Sequence, residues 1–322
     1  MPHRIGIVGL GIMGQRMLAA MGGHPRFAVT AAWDPSPEAA SMLRRECPRI
    51  ALAPSAEGLA RRDDLDAIYI ASPPASHAAH VNLAWDCGKA AFCEKPLAVE
   101  LASARQLVER AAAENRRAAV NFPFATSLPA AAMMREAAAG VLGAIESIAI
   151  SIDFAAWPRS WQRAGRWLSE RAEGGFTREV VSHFLFLAQR LVGPLSLVSA
   201  HAVFPEDGVA AETAIEARLT AGAVPVTLRG GVGATDADDR NSLTLTGVRG
   251  ALRLADWVTL ARRDGEVWRE VDFGPGPSIR QRSFTAQLDA LAAMIEGRPH
   301  PLATLAEGLA VQRLVEAILK SG

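Results

Sequence analysis

The stretch Arg4-Ile5-Gly6-Ile7-Val8-Gly9-Leu10-Gly11-Ile12-Met13-Gly14 decides how the rest of the chain is read. Residues 4–9 form a short apolar run bounded by glycine, too short for a helix, and predict a buried strand. Residues 12–22 suit a helix, so the glycines at 9, 11 and 14 fall on the turn between strand and helix. In such a turn the first glycine permits the tight bend, and the second lets backbone approach a pyrophosphate. The third lets helix and strand pack closely. Amides at the helix start then face the phosphates, where the helix dipole favours an anion. Alone, the pattern also describes a purely structural glycine turn. Its confirming partner is Asp34, which ends the next strand-like run (27–33) twenty residues beyond Gly14. A carboxylate there accepts hydrogen bonds from both adenosine ribose hydroxyls and repels a 2′-phosphate. No Arg or Lys occurs from 35 to 43 to receive one. Together these signals predict a dinucleotide held by Gly9, Gly11, Ile12, Met13, Gly14 and Asp34, NAD in preference to NADP.

Outward from this motif the alternation continues. A helix is expected near 36–46, a strand at 66–71, a helix at 76–88, a strand at 90–93, a helix at 101–115 and a strand at 118–121. Strands alternating with helices imply a doubly wound parallel sheet with right-handed crossovers. After residue 122 the grammar changes. Helical segments at 128–139 and 180–192 accompany strand-like runs at 145–154, 196–204, 212–219, 224–232, 241–247, 250–255, 257–262 and 266–272. Several alternate apolar and polar, as in Thr213-Ala214-Ile215-Glu216-Ala217-Arg218-Leu219, the pattern of a sheet with one covered face. Gly274-Pro275-Gly276-Pro277 separates this sheet from closing helices near 281–296 and 303–319. The expectation is α/β: a dinucleotide-binding domain over 1–122, then an α+β domain over 123–322 with a mainly antiparallel, open sheet. So many strands with few helices leave one sheet face uncovered, which predicts a two-fold interface and at least a dimer.

The 322 residues suit two domains at roughly 100–200 residues each. Thirty-four Lys and Arg balance thirty-four Asp and Glu, so no net field draws the chain to nucleic acid or an anionic membrane. Cys47, Cys87 and Cys93 show no C-x-x-C spacing, which argues against a disulfide framework or a metal site and suits a reducing compartment. No apolar run approaches the ~20 residues of a spanning helix. Glycines interrupt the N-terminal apolar segment, against a secretory signal, and the expected location is cytoplasmic.

Two further segments end strands at the carboxyl edge of the parallel sheet, where ligands bind in such folds. The first is Ala71-Ser72-Pro73-Pro74 with Ser76-His77, the second Glu94-Lys95-Pro96. By themselves Ser76-His77 read as a helix N-cap with an exposed polar neighbour, and Lys95 as a surface lysine paired with Glu94. With the glycine loop and the closing segments Phe284 to Gly297 and Leu302 to Leu319, however, these motifs resemble one family over essentially the whole chain. It is the glucose–fructose oxidoreductase, inositol dehydrogenase and rhizopine catabolism family. The resemblance implies a Rossmann domain followed by an α/β domain whose open sheet serves oligomerisation, as a homodimer or homotetramer. It implies NAD(P)-linked oxidation or reduction of a carbinol carbon of sugars, inositols and related polyols. It also implies that Lys95 bonds the reacting oxygen or orders the nicotinamide site, with Ser72, Pro73, His77 and Glu94 beside the cofactor.

The family's other signal is a glycine run followed by an Asp four residues before a His on a helix. The matching stretch is Glu173-Gly174-Gly175-Phe176-Thr177-Arg178-Glu179-Val180-Val181-Ser182-His183. His183 takes the histidine position, and an imidazole of ordinary pKa ~6.5 suits exchange of a hydroxyl proton. Glu179 stands where an Asp is usual, one helical turn from His183, and Val181 replaces a smaller residue. Asn121-Phe122-Pro123-Phe124 lacks an arginine frequent after the last strand of the first domain. Just before the glycine run, Trp157, Trp161 and Trp167 alternate with Arg159, Arg163 and Arg166. Indole faces bind the C–H faces of sugar rings and guanidinium forks bind hydroxyls or carboxylates, so Trp161, Arg163 and Trp167 are candidate substrate contacts. Packed core with solvated arginines is the other reading. The resulting expectation is an NAD-dependent dehydrogenase with Lys95, His183 and Glu179 as catalytic residues and no metal. The alternative is a catalytically silent cofactor-binding or ligand-sensing protein that retains the fold.

Overall fold

The computed structural model describes residues 1–162 and 165–322, so Arg163 lies outside the described residues. The chain forms two units, Met1–Pro123 with Phe284–Leu309, and Phe124–Ser283 with Ala310–Gly322.

In the first unit six parallel strands form one sheet: β1 (His3–Val8), β2 (Phe27–Trp33), β3 (Ala51–Leu52), β4 (Ala67–Ile70), β5 (Ala90–Cys93) and β6 (Ala118–Val120). Their order is β3-β2-β1-β4-β5-β6. The chain winds one way from β1 to β3 and the other way from β4 to β6, so the direction reverses between β1 and β4. That reversal opens a crevice at the strands' carboxyl ends. Every residue of β4 and β5 is buried, as fits a parallel sheet covered on both faces. The crossovers carry α1 (Ile12–Gly22), α2 (Pro37–Glu46), α3 (Ala56–Ala60), α4 (His77–Asp86) and α5 (Leu101–Ala113). Ser36 starts α2 by accepting a hydrogen bond from Ala39 N at 3.2 Å, with Pro37 in the first turn. β3 and α3, two and five residues long, escape the sequence reading because neither is long enough to show a period.

The second unit is built on an eight-stranded sheet. Its strands are β7 (Ile145–Phe154), β8 (Ser196–Val203), β9 (Ala214–Ala221), β10 (Val224–Val232), β11 (Arg240–Gly247), β12 (Gly250–Ala255), β13 (Thr259–Asp264) and β14 (Val267–Glu270). The order β14-β13-β12-β11-β7-β10-β9-β8 is antiparallel throughout except at β7 and β10, which pair in parallel. Ile148, Ile150 and Ile152 of β7, Leu228 of β10 and Leu243 of β11 turn to the buried face. Helices α6 (Leu128–Ala138) and α7 (Ser182–Val192) belong to this unit. Glu216, Arg218, Thr227 and Arg229 turn to the exposed face. Among the described residues no helix is long and apolar enough to cross a membrane.

One expectation is corrected. The sequence reading gives everything after residue 122 to the second domain, yet Phe284–Leu309 returns to the first unit. The cause is apolar burial along α8 (Ile279–Ile295), which precedes the final helix α9 (Leu305–Leu319). Leu288, Leu291, Met294 and Ile295 join one core with Ile5, Met17, Met21 and Phe27. Arg117 Nη1 donates to Ile295 O at 2.6 Å, and Gln287 Nε2 donates to Asn121 Oδ1 at 2.7 Å. Leu291→Ala should therefore lower the stability of the first unit by about 2–5 kcal/mol in urea unfolding, the range for truncating a buried leucine. A loss below about 1 kcal/mol would make the returning segment an accessory of that core.

Candidate functional site

The glycine loop has the geometry its spacing predicts. Gly9 sits at φ 92°, and a Cβ on it would meet the backbone of Ala71 and Ser72 at 2.6 Å. A Cβ on Gly14 would collide with the carbonyl oxygen of Gly9. Both positions therefore demand glycine for close backbone approach. Gly11 differs: nothing lies within 4 Å of a Cβ placed there. As the residue preceding α1 it makes no side-chain cap, so the first-turn amides of the helix, Ile12 and Met13 among them, find no side-chain acceptor in it. Uncapped amides, a positive helix end and an open approach are what a pyrophosphate requires.

Asp34 follows β2. Its carboxylate accepts from Leu10 N (2.7 Å) and from Ser36 N (2.8 Å), which fixes its orientation against the glycine loop. An ionised carboxylate has about four acceptor positions, so lone pairs remain for ribose hydroxyls. The residues of the loop thus fit an adenine dinucleotide.

At the ends of β4 and β5 the structure corrects three expectations. Ser76 stands at the N-cap position of α4 but its side chain caps no amide: its hydroxyl donates to Pro73 O (2.9 Å) and lies 2.7 Å from Ser72 Oγ, inside a 3-10 turn over Pro74–Ser76. His77 is not exposed but 1% accessible, with Nδ1 2.6 Å from Pro96 O and Nε2 2.7 Å from Ser72 O. Its ring spans the two sheet-edge segments that the sequence singled out. Burial holds its pKa below the ordinary value, and the two carbonyls act in the opposite direction. Lys95 is no surface lysine, being 8% accessible beside a cis Lys95–Pro96 bond.

Glu94 is also buried. Its Oε1 accepts from the Tyr69 hydroxyl and from Asn121 Nδ2 at 2.6 Å, and Asn121 in turn accepts from Gln287. Burial first, then the adjacent Glu94 charge, pushes the Tyr69 hydroxyl well above its ordinary pKa and keeps it a donor. Sequence reasoning missed Tyr69, Asn121 and Gln287. The chain's one tyrosine inside a buried apolar strand was a usable signal, because a buried phenol needs a partner.

In the second unit Glu179 and His183 do not share one ordinary α-helix. Thr177–Val181 forms a π-helical turn that carries Glu179 half-buried, and His183 is the second residue of α7. Insertions of this kind occur often at functional sites. Glu212, also missed, lies at the head of that turn and accepts from Thr177 N at 2.7 Å. Its burial raises its carboxyl pKa, against the hydrogen bonds from Thr177. The strand read from residue 212 starts at Ala214 because Glu212 is drawn to this role.

Around His183 stand aromatic rings. Phe124 meets it edge-on with ring centres 6.5 Å apart, and Trp257 meets it edge-on at 5.5 Å. Trp257 was read as the start of a strand; β13 begins two residues later because Asp256 (φ 48°) and Trp257 (φ 69°) form the turn from β12. Left-handed backbone at a residue with a Cβ costs about 1–2 kcal/mol.

Of the tryptophan–arginine segment, Trp157 is half-buried. It packs on Phe154 and Phe176, and its Nε1 donates to Leu168 O at 2.8 Å. Arg159 is buried and paired with Asp239 at 2.6 Å, with its guanidinium 4.6 Å from the ring centre of Trp161. Trp161 remains 39% accessible, and Trp167 is half-buried.

Comparison with known proteins agrees with the first unit's architecture. Residues 3–122 match the family described as "Oxidoreductase family, NAD-binding Rossmann fold". Inositol 2-dehydrogenase 3 of Saccharopolyspora erythraea is 35% identical over 121 residues, 36% of this chain and 35% of that enzyme. The chain matches the first curated relatives over only about a quarter to a third of their length. Among solved structures, an oxidoreductase from Agrobacterium radiobacter in complex with NAD+, L-tartaric acid and magnesium has a TM-score of 0.85. It is 18% identical, over 100% of this chain and 96% of that one. A 3-ketoreductase from Actinomadura kijaniata with NADP and TDP-benzene has a TM-score of 0.83 at 22% identity, over 100% of this chain and 98% of that one. Identities this low show the shared fold of both units. The sequence match thus runs from β1 to the end of the parallel sheet, and over those residues the first unit is similar to the NAD-binding Rossmann domain of that oxidoreductase family.

Proposed function

We propose that the chain is an NAD-dependent oxidoreductase acting on a carbinol or carbonyl carbon of a sugar, inositol or related hydroxylated small molecule. The observation that carries this reading is the open, uncapped start of α1 at Gly11 beside the oriented Asp34 carboxylate. The names of its relatives, an inositol dehydrogenase and a ketoreductase, support the substrate class.

The backbone amides after Gly11 bind the pyrophosphate, and Asp34 takes the adenosine ribose hydroxyls. Ser72, Pro73, His77 and Glu94 shape the edge on which the cofactor lies. A bound nicotinamide supplies the hydride donor or acceptor. Lys95 gives a hydrogen bond to the reacting oxygen, which stabilises the charge that develops there. His183 takes the hydroxyl proton in oxidation and returns it in reduction, with Glu179 as its carboxylate partner. The polar face of the second sheet, where Glu216 pairs across strands with Arg229, carries both signs of charge. A two-fold copy brings such a face against itself with complementary charge.

Asp34 should make NADH bind more tightly than NADPH, by fluorescence titration, and Asp34→Ser with Pro35→Arg should reverse the order. Tighter NADPH binding by the wild type would remove the NAD assignment. His183→Ala and Lys95→Ala should each lower kcat by about 10²–10⁴ while NADH affinity stays within roughly threefold. Glu179→Gln should cost less, because it keeps a hydrogen-bonding side chain and loses only the charge. NADH binding with no turnover on a panel of inositols, sugars and sugar acids would favour the catalytically silent reading. Light scattering at micromolar concentration should report a dimer or larger, and a monomer would refute the paired sheet face.

A further inference from the structure

The hairpin turn between β12 and β13 is closed by Val258 N donating to Ala255 O at 3.2 Å. Two positive φ values in succession are the mark of a primed hairpin turn, whose usual occupants are Asn-Gly or Asp-Gly. Here the second place, where glycine is free of strain, holds Trp257. A bulky residue in left-handed backbone persists only where its surroundings hold it.

The surroundings are specific. The indole stacks on Phe124 (5.4 Å between ring centres, 29° between planes), touches Phe184 (5.4 Å) and meets the His183 imidazole edge-on. Asn241, 4% accessible, holds the turn from below: its Oδ1 accepts from Trp257 N (3.2 Å) and its carbonyl accepts from Asp256 N (2.9 Å). The Asn241 Nδ2 donates to Asp239 Oδ1 at 3.2 Å, and the other Asp239 oxygen pairs with buried Arg159, which lies under Trp161. One polar relay therefore positions two tryptophans. Trp257 itself stays only half-buried, so part of it remains open to solvent.

We infer that Trp257 is a specificity-determining wall, its indole stacking on the C–H face of a cyclic polyol or sugar ring whose hydroxyl meets His183. The inference rests on the proposed role of His183 but is separable from it. An indole face favours flat arrays of axial C–H bonds, which a ring presents and an open-chain polyol of the same composition does not. Asn241 is its positioning residue.

The test is calorimetric binding of D-glucose, myo-inositol and the open-chain hexitol D-glucitol in the presence of NAD, together with thermal unfolding. Trp257→Gly should weaken binding of at least one ring compound by about tenfold and leave D-glucitol unchanged. Glycine relieves the turn but gives up the indole's packing, so the unfolding curve serves to show that each variant is folded at the assay temperature. Trp257→Asn, also compatible with left-handed backbone, should behave as Trp257→Gly, and Trp257→Phe should stay within about threefold of the wild type. Asn241→Ala should weaken ring binding in the same direction and by less. Wild-type affinity for both rings in Trp257→Gly, equal losses for ring and chain, or no ring binding by the wild type would each overturn the inference. If His183→Ala keeps full turnover while Trp257→Gly still loses the ring, the acid–base assignment fails and the wall stands.

Discussion

The closest constraint in the first unit is a contact between backbones: Gly14 of α1 lies directly on the carbonyl of Gly9, and Gly9 lies against the Ala71–Ser72 peptide. No side chain fits between these segments, so the end of β1, the end of β4 and the start of α1 are held together at backbone contact distance. That contact sets the start of α1 at the edge where the winding of the sheet reverses. It also fixes the start of the Ser72–Pro74 segment. From there the His77 ring carries the constraint across to Pro96, and so to the position of Lys95.

Polar groups beneath this edge are arranged so that burial does not leave them wanting. The Glu94 carboxylate has two donors, and Asn121 serves both Glu94 and Gln287. Leaving one member out would strand a buried charge or carbonyl, at a cost of about 1–3 kcal/mol or more. The network ties β4, β5, β6 and α8 together below the Glu-Lys-Pro segment. Lys95 is thereby mounted beside four elements of one core.

The second unit solves a similar problem with different parts. Its candidate acid–base residue stands at the start of a helix whose entry is widened to a π turn and anchored by the buried carboxylate of Glu212. The Arg159–Asp239–Asn241 relay holds a hairpin turn in a backbone conformation its own sequence disfavours. Strain at Trp257 and an unusual helix start fall within one aromatic neighbourhood of His183. Local preference yields to placement where a site needs it.

Periodicity and glycine spacing alone determined most of the architecture. The long strands and helices were legible because an apolar face repeats along each of them, and the glycine loop because Gly9 and Gly14 leave no room for a Cβ. The boundaries that failed are instructive. Phe284–Leu309 looks like the end of a second domain, yet Leu288 and Leu291 bury in the first core, a match of surfaces that only folding brings together. His77 and Lys95 read as surface residues because nothing near them in sequence announces the Ser72 and Pro96 carbonyls or the burial that surrounds them. Trp257 carried no signal at all, since its turn is imposed by Asn241 and by rings on Phe124 and Phe184, far from it along the chain. Sequence determines the periods and the places where a Cβ is forbidden, since both are local. Which polar groups meet in the interior is a matter of long-range contact, and tertiary structure alone decided it.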